Sequence, residues 1–179
     1  MDHREFIEKS KECVKRSRDP FIVHYKEKYH SDNPPPYWIL VHVLGFGQIV
    51  TVYKGASPQV KRNIADELGV PSKTLCSWLK TLNVVRNITA HHGRLWNRVL
   101  GVKPRIPKNE LWHDPVEINP DRIFAVLTIL SYLLEIVAPN THWRDRLFEL
   151  LKQYENVDLQ RMGFPDDWRD SPLWCKYFI

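Results

Sequence analysis

Residues 123–138, which read IFAVLTILSYLLEIVA, are the most apolar segment of the chain and decide its fold class. The segment is shorter than the roughly 20 apolar residues that a membrane-spanning helix needs. Charged residues also flank and interrupt it, since Asp121 and Arg122 come just before it and Glu135 lies within it. We therefore interpret it as the central helix of a soluble helical bundle, and we expect no contact with a membrane.

The composition of the chain favours one mainly helical domain. A length of 179 residues with 43% hydrophobic residues is enough for a compact domain with a real core. Seven glycines are few for an all-β fold with many tight turns, whereas apolar-periodic stretches separated by prolines are typical of helices. We therefore predict an all-α fold and a single domain over residues 1–179.

Net charge and cysteine content give limited information on the binding partners and the cellular compartment of the protein. The formal net charge of +5 favours encounter with polyanions, but ordinary soluble proteins also carry such a charge. Three cysteines without a CxxC pair fit neither a disulfide framework nor a zinc site, and they suit a reducing compartment. Because the N-terminus also lacks the apolar core of a secretory signal, we expect a cytoplasmic protein.

Prolines and glycines divide the first half of the chain into further elements. The segment 37–53 is apolar on nearly every side, with Gly45 and Gly47 in its middle. It is therefore a buried helix or a pair of strands, and we favour the helix. Helices are expected over 2–18 and 20–29, followed by a stiff proline connector over 31–36. Ala56-Ser57-Pro58 provides an N-terminal signal for a helix over 59–68, which Gly69 ends. Pro71 opens the next helix, which meets no breaker until Gly93.

The second half of the chain combines a loop, two helices and an aromatic tail. Residues 101–120 hold four prolines and no periodicity, which predicts a long surface loop leading away from the preceding helix. Asn119 and Pro120 have the residue types of the N-cap and the first position of a helix, so we expect the apolar helix to start here. A last amphipathic helix is expected from His142 to about Glu155. The tail over 161–174 is expected to dock its tryptophans on the core, with stacking of nucleic-acid bases as the alternative.

The stretch 86–98, RNITAHHGRLWNR, carries the candidate site. If the helix continues through it, Arg86 stands about 140° from His91, so its side chain must reach across the helix or meet a ligand supplied by a second subunit. At roughly 100° per residue, one narrow arc of the helix then contains the polar residues Asn87, His91, Arg94 and Arg98. The opposite side contains the apolar residues Val84, Val85, Ile88, Leu95, Trp96 and Val99.

These residue types suit metal-independent cleavage of RNA. Such cleavage needs a proton shuttle near the ribose 2′-hydroxyl and fixed positive charge near the scissile phosphate. His91 supplies the imidazole, and Asn87, one turn earlier, can orient that imidazole or the phosphate. The competing interpretation is structural, with a buried His91 bonded to a backbone carbonyl and the arginines as solvated helix charges. His92 points toward the apolar side and is the weaker candidate.

A metal site is disfavoured by the same geometry. His91 and His92 project about 100° apart on a helix, and no carboxylate or thiol stands three or four residues after either. We therefore predict no metal ligands, with convergence of distant residues such as His113 and Asp114 as the alternative.

Residues 63–79 support a function of a different class, because their small residue, turn glycine and apolar spacing are typical of a DNA-binding helix-turn-helix. A recognition helix there would present Ser72, Lys73, Ser77 and Lys80. The apolar pattern continues without a break beyond this segment, which favours a scaffold helix over a DNA reader.

Three segments of the chain resemble the Abi-like (abortive infection) family of bacterial phage-defence proteins, which belongs to the HEPN ribonuclease superfamily. The hallmark of that superfamily is an arginine, a polar residue, three further residues and a histidine, which Arg86, Asn87 and His91 match in type and spacing. The three segments are Pro36-Tyr37-Trp38 through Phe46-Gly47 to Tyr53, the run from Trp78 to Arg98, and Met162-Gly163-Phe164-Pro165 with Trp168 and Pro172-Leu173-Trp174.

The resemblance implies a HEPN-like helical bundle with a long proline-rich loop and an aromatic C-terminal tail. Members usually carry a longer N-terminal region, so we expect a bundle without that region. The resemblance also implies a ribonuclease that uses no cofactor, in which Arg86, Asn87 and His91 are catalytic and meet their counterparts at a homodimer interface. Attack by the 2′-hydroxyl would leave a cyclic phosphate. We expect an antitoxin or regulatory partner, and RNA binding by His92, Arg94, Asn97 and Arg98.

Overall fold

All regular secondary structure in the described part of the chain is helical. The computed structural model describes residues 3–30 and 34–175, which form eight α-helices, three short 3-10 helices and no strand. The prediction of an all-α fold is therefore confirmed. The chain divides into two compact units, residues 1–56 and 57–179, and each is described by itself. A single domain over residues 1–179 stays a prediction.

The first unit contains four helices around a small apolar core. They are α1 (His3–Arg16), α2 (Pro20–Tyr29), α3 (Tyr37–Leu40) and α4 (Phe46–Gly55). The first two match the predicted helices, although the expected start at Asp2 and residues 31–33 of the proline connector lie outside the described residues. The buried side chains of this unit's core are Phe6, Val14, Ile22, Leu40 and Leu44.

The apolar segment 37–53 is helical, but it is not one helix. The chain leaves the helical path after α3 and begins α4 at Phe46. Gly45 precedes α4 in an extended conformation, and its backbone N–H donates a hydrogen bond of 2.9 Å to the Gln48 Oε1 atom. Backbone N–H groups at a helix start need partners outside the helix ladder. Gln48 supplies one for Gly45, so a new helix begins here and the segment is divided in two. The preference for helix over strands is confirmed, while the single continuous helix is wrong.

The second unit is organised around the predicted central helix. Its helices are α5 (Pro58–Glu67), α6 (Ser72–Ala90), α7 (Ile123–Val137) and α8 (Trp143–Gln153). Ser57 caps α5 through its Oγ atom, and Gly69 adopts a φ of +64° after that helix, as the residue types predict. Helix α7 is the most deeply packed element, with Ile123, Phe124, Ala125, Val126, Thr128, Ile129 and Ser131 all buried.

The proline-rich segment 101–120 packs into this unit instead of leading away from it. Trp112 is only 1% exposed, and its ring centroid lies 5.2 Å from that of Trp78 on α6. The Trp78 indole donates a hydrogen bond of 2.7 Å to the Arg105 carbonyl. The segment is an irregular and largely exposed loop, as predicted, but it does not lead away from the unit. Scattered apolar residues anchor it, and they are buried without any periodic pattern: Pro104, Pro107, Trp112, Val116 and Ile118.

The start of α7 also differs from the prediction. The Asn119 side chain accepts a hydrogen bond of 2.8 Å from the Asp121 backbone N–H, so it closes a local turn. Arg122 is the residue that precedes the helix, which begins at Ile123. The predicted N-cap at Asn119 with Pro120 at the first position is therefore wrong, because the same side chain stabilises a turn just as well as a helix start.

The aromatic tail docks on α7, as expected. Trp174 is completely buried and its indole donates a hydrogen bond of 3.0 Å to the Thr128 hydroxyl. The Phe164 and Phe124 ring centroids lie 4.6 Å apart. Short 3-10 helices at Gln160–Met162 and Trp168–Asp170 shape the tail. Within residues 3–30 and 34–175, no helix has both the length and the apolar character to cross a membrane.

Candidate functional site

The candidate motif lies where α6 ends. The helix stops at Ala90 and not at Gly93, because His92 takes a left-handed conformation with a φ of +55°. The His92 N–H donates to the Thr89 carbonyl at 3.0 Å, and the Gly93 N–H donates to the Ile88 carbonyl at 2.7 Å. This pair of bonds is a Schellman motif, which satisfies carbonyls that the helix end leaves without partners.

The early end of α6 changes the predicted polar arc. His91 is the residue that caps the helix, so Asn87 and His91 keep the spacing of one helical turn. Arg94 and Arg98 lie in the irregular segment beyond it and do not share the helical arc, so that part of the prediction is wrong. The expected apolar side is also only partly correct, since Val85 and Leu95 pack on the core while Val99 is 57% exposed.

Arg86 turns toward the side of the helix that carries Asn87. Its Nη1 atom donates a hydrogen bond of 3.2 Å to the Asn87 Oδ1 atom. Asn87 stands about 100° around the helix from Arg86 and about 40° from His91, so it lies between them. The contact therefore reduces the angular gap that the sequence predicted between the guanidinium and the imidazole.

All seven predicted site residues are accessible to a ligand. The interpretation of His91 as a buried, backbone-bonded histidine is wrong, because its side chain is exposed. His92 is exposed as well and does not pack on the apolar side. An exposed imidazole beside exposed guanidinium groups can reach both a proton and a phosphate of a large substrate. The exposed set is Arg86, Asn87, His91, His92, Arg94, Asn97 and Arg98.

Charge is segregated along the chain, which the sequence prediction missed. Residues 68–109 hold eight Lys or Arg and no Asp or Glu, whereas residues 110–179 hold seven basic and twelve acidic residues. The whole-chain net charge of +5 hides this difference, and a count over a sliding window reveals it. The eight basic residues surround the motif in sequence and are all exposed: Lys73, Lys80, Arg86, Arg94, Arg98, Lys103, Arg105 and Lys108.

The predicted helix-turn-helix segment forms two helices, but one of the residues expected to contact DNA, Ser77, is bonded to another part of the chain. The Ser77 hydroxyl accepts a hydrogen bond of 3.0 Å from the Arg105 N–H and donates one of 3.4 Å to the Lys103 carbonyl. Four side chains of the same helix are buried, namely Thr74, Leu75, Trp78 and Thr81. Lys73 and Lys80 remain exposed. This end of α6 is therefore held against residues 103–105.

No metal centre is assembled by the described residues. Within residues 3–30 and 34–175, no group of three or more His, Cys, Asp or Glu side chains is placed to hold an ion. Cys13, Cys76 and Cys175 are free thiols.

One comparison with known proteins gives a match. The family described as Abi-like protein matches residues 1–97, which is more than half of the chain. The matched range contains the segment 37–53 and the whole of α6 with Arg86, Asn87 and His91, and it ends before the aromatic tail. Neither the curated proteins nor the solved structures gave a match.

Proposed function

The chain belongs to the Abi-like protein family, and on this premise we propose that it is a metal-independent endoribonuclease of bacterial phage defence. Its substrate is single-stranded or loop RNA in the cytoplasm. The observation that carries the proposal is the exposed set of Arg86, Asn87 and His91 at the end of α6, inside a stretch with eight exposed basic residues and no acidic one. Positive charge of this kind attracts RNA phosphates. We assign the motif to the HEPN ribonuclease superfamily.

Each motif residue has a distinct role in the proposed reaction. The ribose 2′-hydroxyl loses its proton to a base and attacks the neighbouring phosphorus, and the bond to the 5′-oxygen breaks as that oxygen gains a proton. The products are a 2′,3′-cyclic phosphate and a 5′-hydroxyl. His91 acts as general acid or base. Arg86 stabilises the charge of the pentacoordinate phosphorus. Asn87, already bonded to Arg86, orients the guanidinium or the phosphate.

Two copies of the chain complete the proposed site. The reaction needs one group that takes a proton and another that gives one, and each copy supplies a single His91. In a homodimer with the motif at its interface, one His91 serves as base and the partner's as acid. The exposed end of α6 leaves room for a second copy at this position. Arg94, Asn97 and Arg98 then hold flanking phosphates, together with His92.

The test is cleavage of labelled RNA in EDTA, followed by analysis of the new ends. We expect cyclic-phosphate ends from the wild type. His91→Ala should lose about 10²- to 10⁴-fold in rate, and Arg86→Ala about 10²- to 10³-fold. His24→Ala and Arg62→Ala are matched controls, because both side chains are exposed on other helices, and they should cut like the wild type. Equal rates for His91→Ala and His24→Ala would contradict the proposal.

His91→Ala and one further variant, Lys73→Glu, separate this proposal from a DNA-binding regulator that uses residues 63–79. A regulator would lose binding of duplex DNA on Lys73→Glu and keep it on His91→Ala. The ribonuclease should show the reverse dependence in the cleavage assay, with Lys73→Glu much less harmful than His91→Ala.

A further inference from the structure

A groove of about 500 Å³ opens between the segment that follows the motif and the C-terminal end of α8. Trp96 forms one wall, and Leu150, Tyr154 and Val157 contribute apolar surface. These three side chains are 51%, 53% and 37% exposed, so apolar surface is left uncovered. A groove of this size is in the range that binds small ligands or single groups of larger ones.

Two arginines lie beside the indole of Trp96. The Arg94 Cζ atom is 5.8 Å from the ring centroid, and the Arg161 Cζ atom is 5.7 Å from it. The Asp158 carboxylate accepts a hydrogen bond of 3.1 Å from the Arg161 Nε atom and so fixes that guanidinium. Among the buried side-chain nitrogens and oxygens that the structure describes, Trp96 Nε1 has no hydrogen-bond partner. The indole is thus flanked by cations and carries an unpaired donor.

The position of Trp96 relative to the motif is fixed by the packing of its neighbours. Leu95 packs on the core formed by Leu100, Ile123 and Val126. The Asn97 Oδ1 atom accepts a hydrogen bond of 3.4 Å from Arg122, just before α7. Trp96 lies five positions after His91, and the Schellman motif orders the start of the chain between them. Five residues span at most about 18 Å, so a strand of RNA bound at His91 can extend to Trp96.

We propose that this groove binds an unstacked nucleobase of the RNA substrate. Proteins that bind single-stranded RNA stack bases on aromatic side chains and guanidinium planes, and they hold the phosphates with cations. Both kinds of group are present here. Trp96, Tyr154 and Arg161 line the groove, and Arg94 adds a second cation beside the Trp96 ring. This inference rests on the proposed ribonuclease function and names the part of the substrate that the protein grips.

Binding of an uncleavable oligonucleotide tests the inference apart from catalysis. The probes are a 2′-O-methyl RNA and the same strand with one abasic position, measured by fluorescence anisotropy. Loss of one stacked base should weaken binding by roughly 5- to 150-fold. We expect that loss for Trp96→Ala and for Tyr154→Ala. The matched control Tyr29→Ala removes a tyrosine that is 57% exposed outside the groove and should bind normally. Tyr154 is also exposed, so its removal should leave the fold intact.

The outcomes separate the groove from the active site. If the wild type prefers the intact strand over the abasic one and both groove variants lose that preference, the nucleobase site stands, even if the protein cuts no RNA. If cleavage depends on His91 but the groove variants bind like the wild type, the groove proposal is overturned while the ribonuclease stands. If all variants bind the oligonucleotide equally well, the groove does not hold a nucleobase. That result is expected if the groove instead binds an apolar side chain of a protein partner.

Discussion

The two ends of α6 differ in almost every contact they make. Near its start, Trp78 is completely buried, donates to the Arg105 carbonyl and packs against Trp112 and Tyr132. At its end, Arg86, Asn87 and His91 are exposed. One rigid helix thus joins an anchored end to an accessible end, which is how a scaffold holds a site in place without covering it.

The largest expected effect comes from the anchored end. Trp78→Ala removes a buried ring, its hydrogen bond and its contacts with two aromatic neighbours. This change should lower the free energy of unfolding by about 3–5 kcal/mol. Trp38→Ala is the matched control, because that side chain is 73% exposed and its loss should change stability by no more than about 0.5 kcal/mol. Denaturant unfolding measures both. Similar values for the two variants would show that the start of α6 is not an anchor.

Gly93→Ala at the accessible end should lower stability less than Trp78→Ala does, but it should clearly lower the rate of cleavage. A Cβ atom on Gly93 would lie 2.9 Å from the Ile88 carbonyl oxygen and 2.8 Å from the Ile88 Cγ2 atom, so Gly93→Ala must displace the Schellman motif. A displacement of about 1 Å at a catalytic group can cost about 10²-fold in rate.

Gly101→Ala is the control for that change, because a Cβ atom there meets nothing within 4 Å. Gly93→Ala should have a slightly lower melting temperature than Gly101→Ala and a much lower cleavage rate. Unchanged cleavage by Gly93→Ala would mean that the geometry of the helix end does not matter for the reaction.

The smallest expected effect is a pH dependence at the anchored end. Burial raises the pKa of Tyr132 above its ordinary value of 10.0, and the nearby Glu135 carboxylate raises it further. The phenol donates a hydrogen bond of 3.0 Å to the Leu68 carbonyl. Because the folded-state pKa is the higher one, the stability that Tyr132 contributes is complete below pH 10 and falls as the pH rises through the folded-state pKa.

Comparison of the wild type with Tyr132→Phe isolates this contribution. The wild type should lose more stability than the variant between neutral pH and pH values above 10, as measured by denaturant unfolding. Parallel curves for the two proteins would contradict the raised pKa. The accessible end of α6 carries none of these contacts, so any cleavage at neutral pH should be similar in both proteins.

The sequence predicts regular elements better than their ends. Periodic apolar residues were enough to predict α7, and residue types around Ser57 and Gly69 were enough to predict α5. The predicted end of α6 is too late because Gly93 is the first helix breaker in the sequence. His92 instead takes the left-handed conformation that ends the helix, and Gly93 follows with a close approach to Ile88. That difference moved Arg94 and Arg98 off the helical face.

Irregular segments were harder to predict, because their burial depends on partners far away in sequence. Trp112 has no periodic pattern around it, and only the rings of Trp78 and Tyr132 explain why it is buried. The groove beside Trp96 likewise uses residues about 55 to 65 positions later in the chain. The common position of Arg86, Asn87 and His91 at the end of a helix could be predicted, because the three residues are close in sequence and needed only a helix to bring them together.

The decisive measurement is the rate of RNA cleavage in EDTA by His91→Ala divided by the rate of the wild type. We expect a ratio of about 10⁻² to 10⁻⁴, with cyclic-phosphate ends in the wild-type products and an unchanged melting curve for the variant. A ratio near one, or a wild type that leaves RNA intact, would contradict the assignment of the exposed end of α6 as a ribonuclease site.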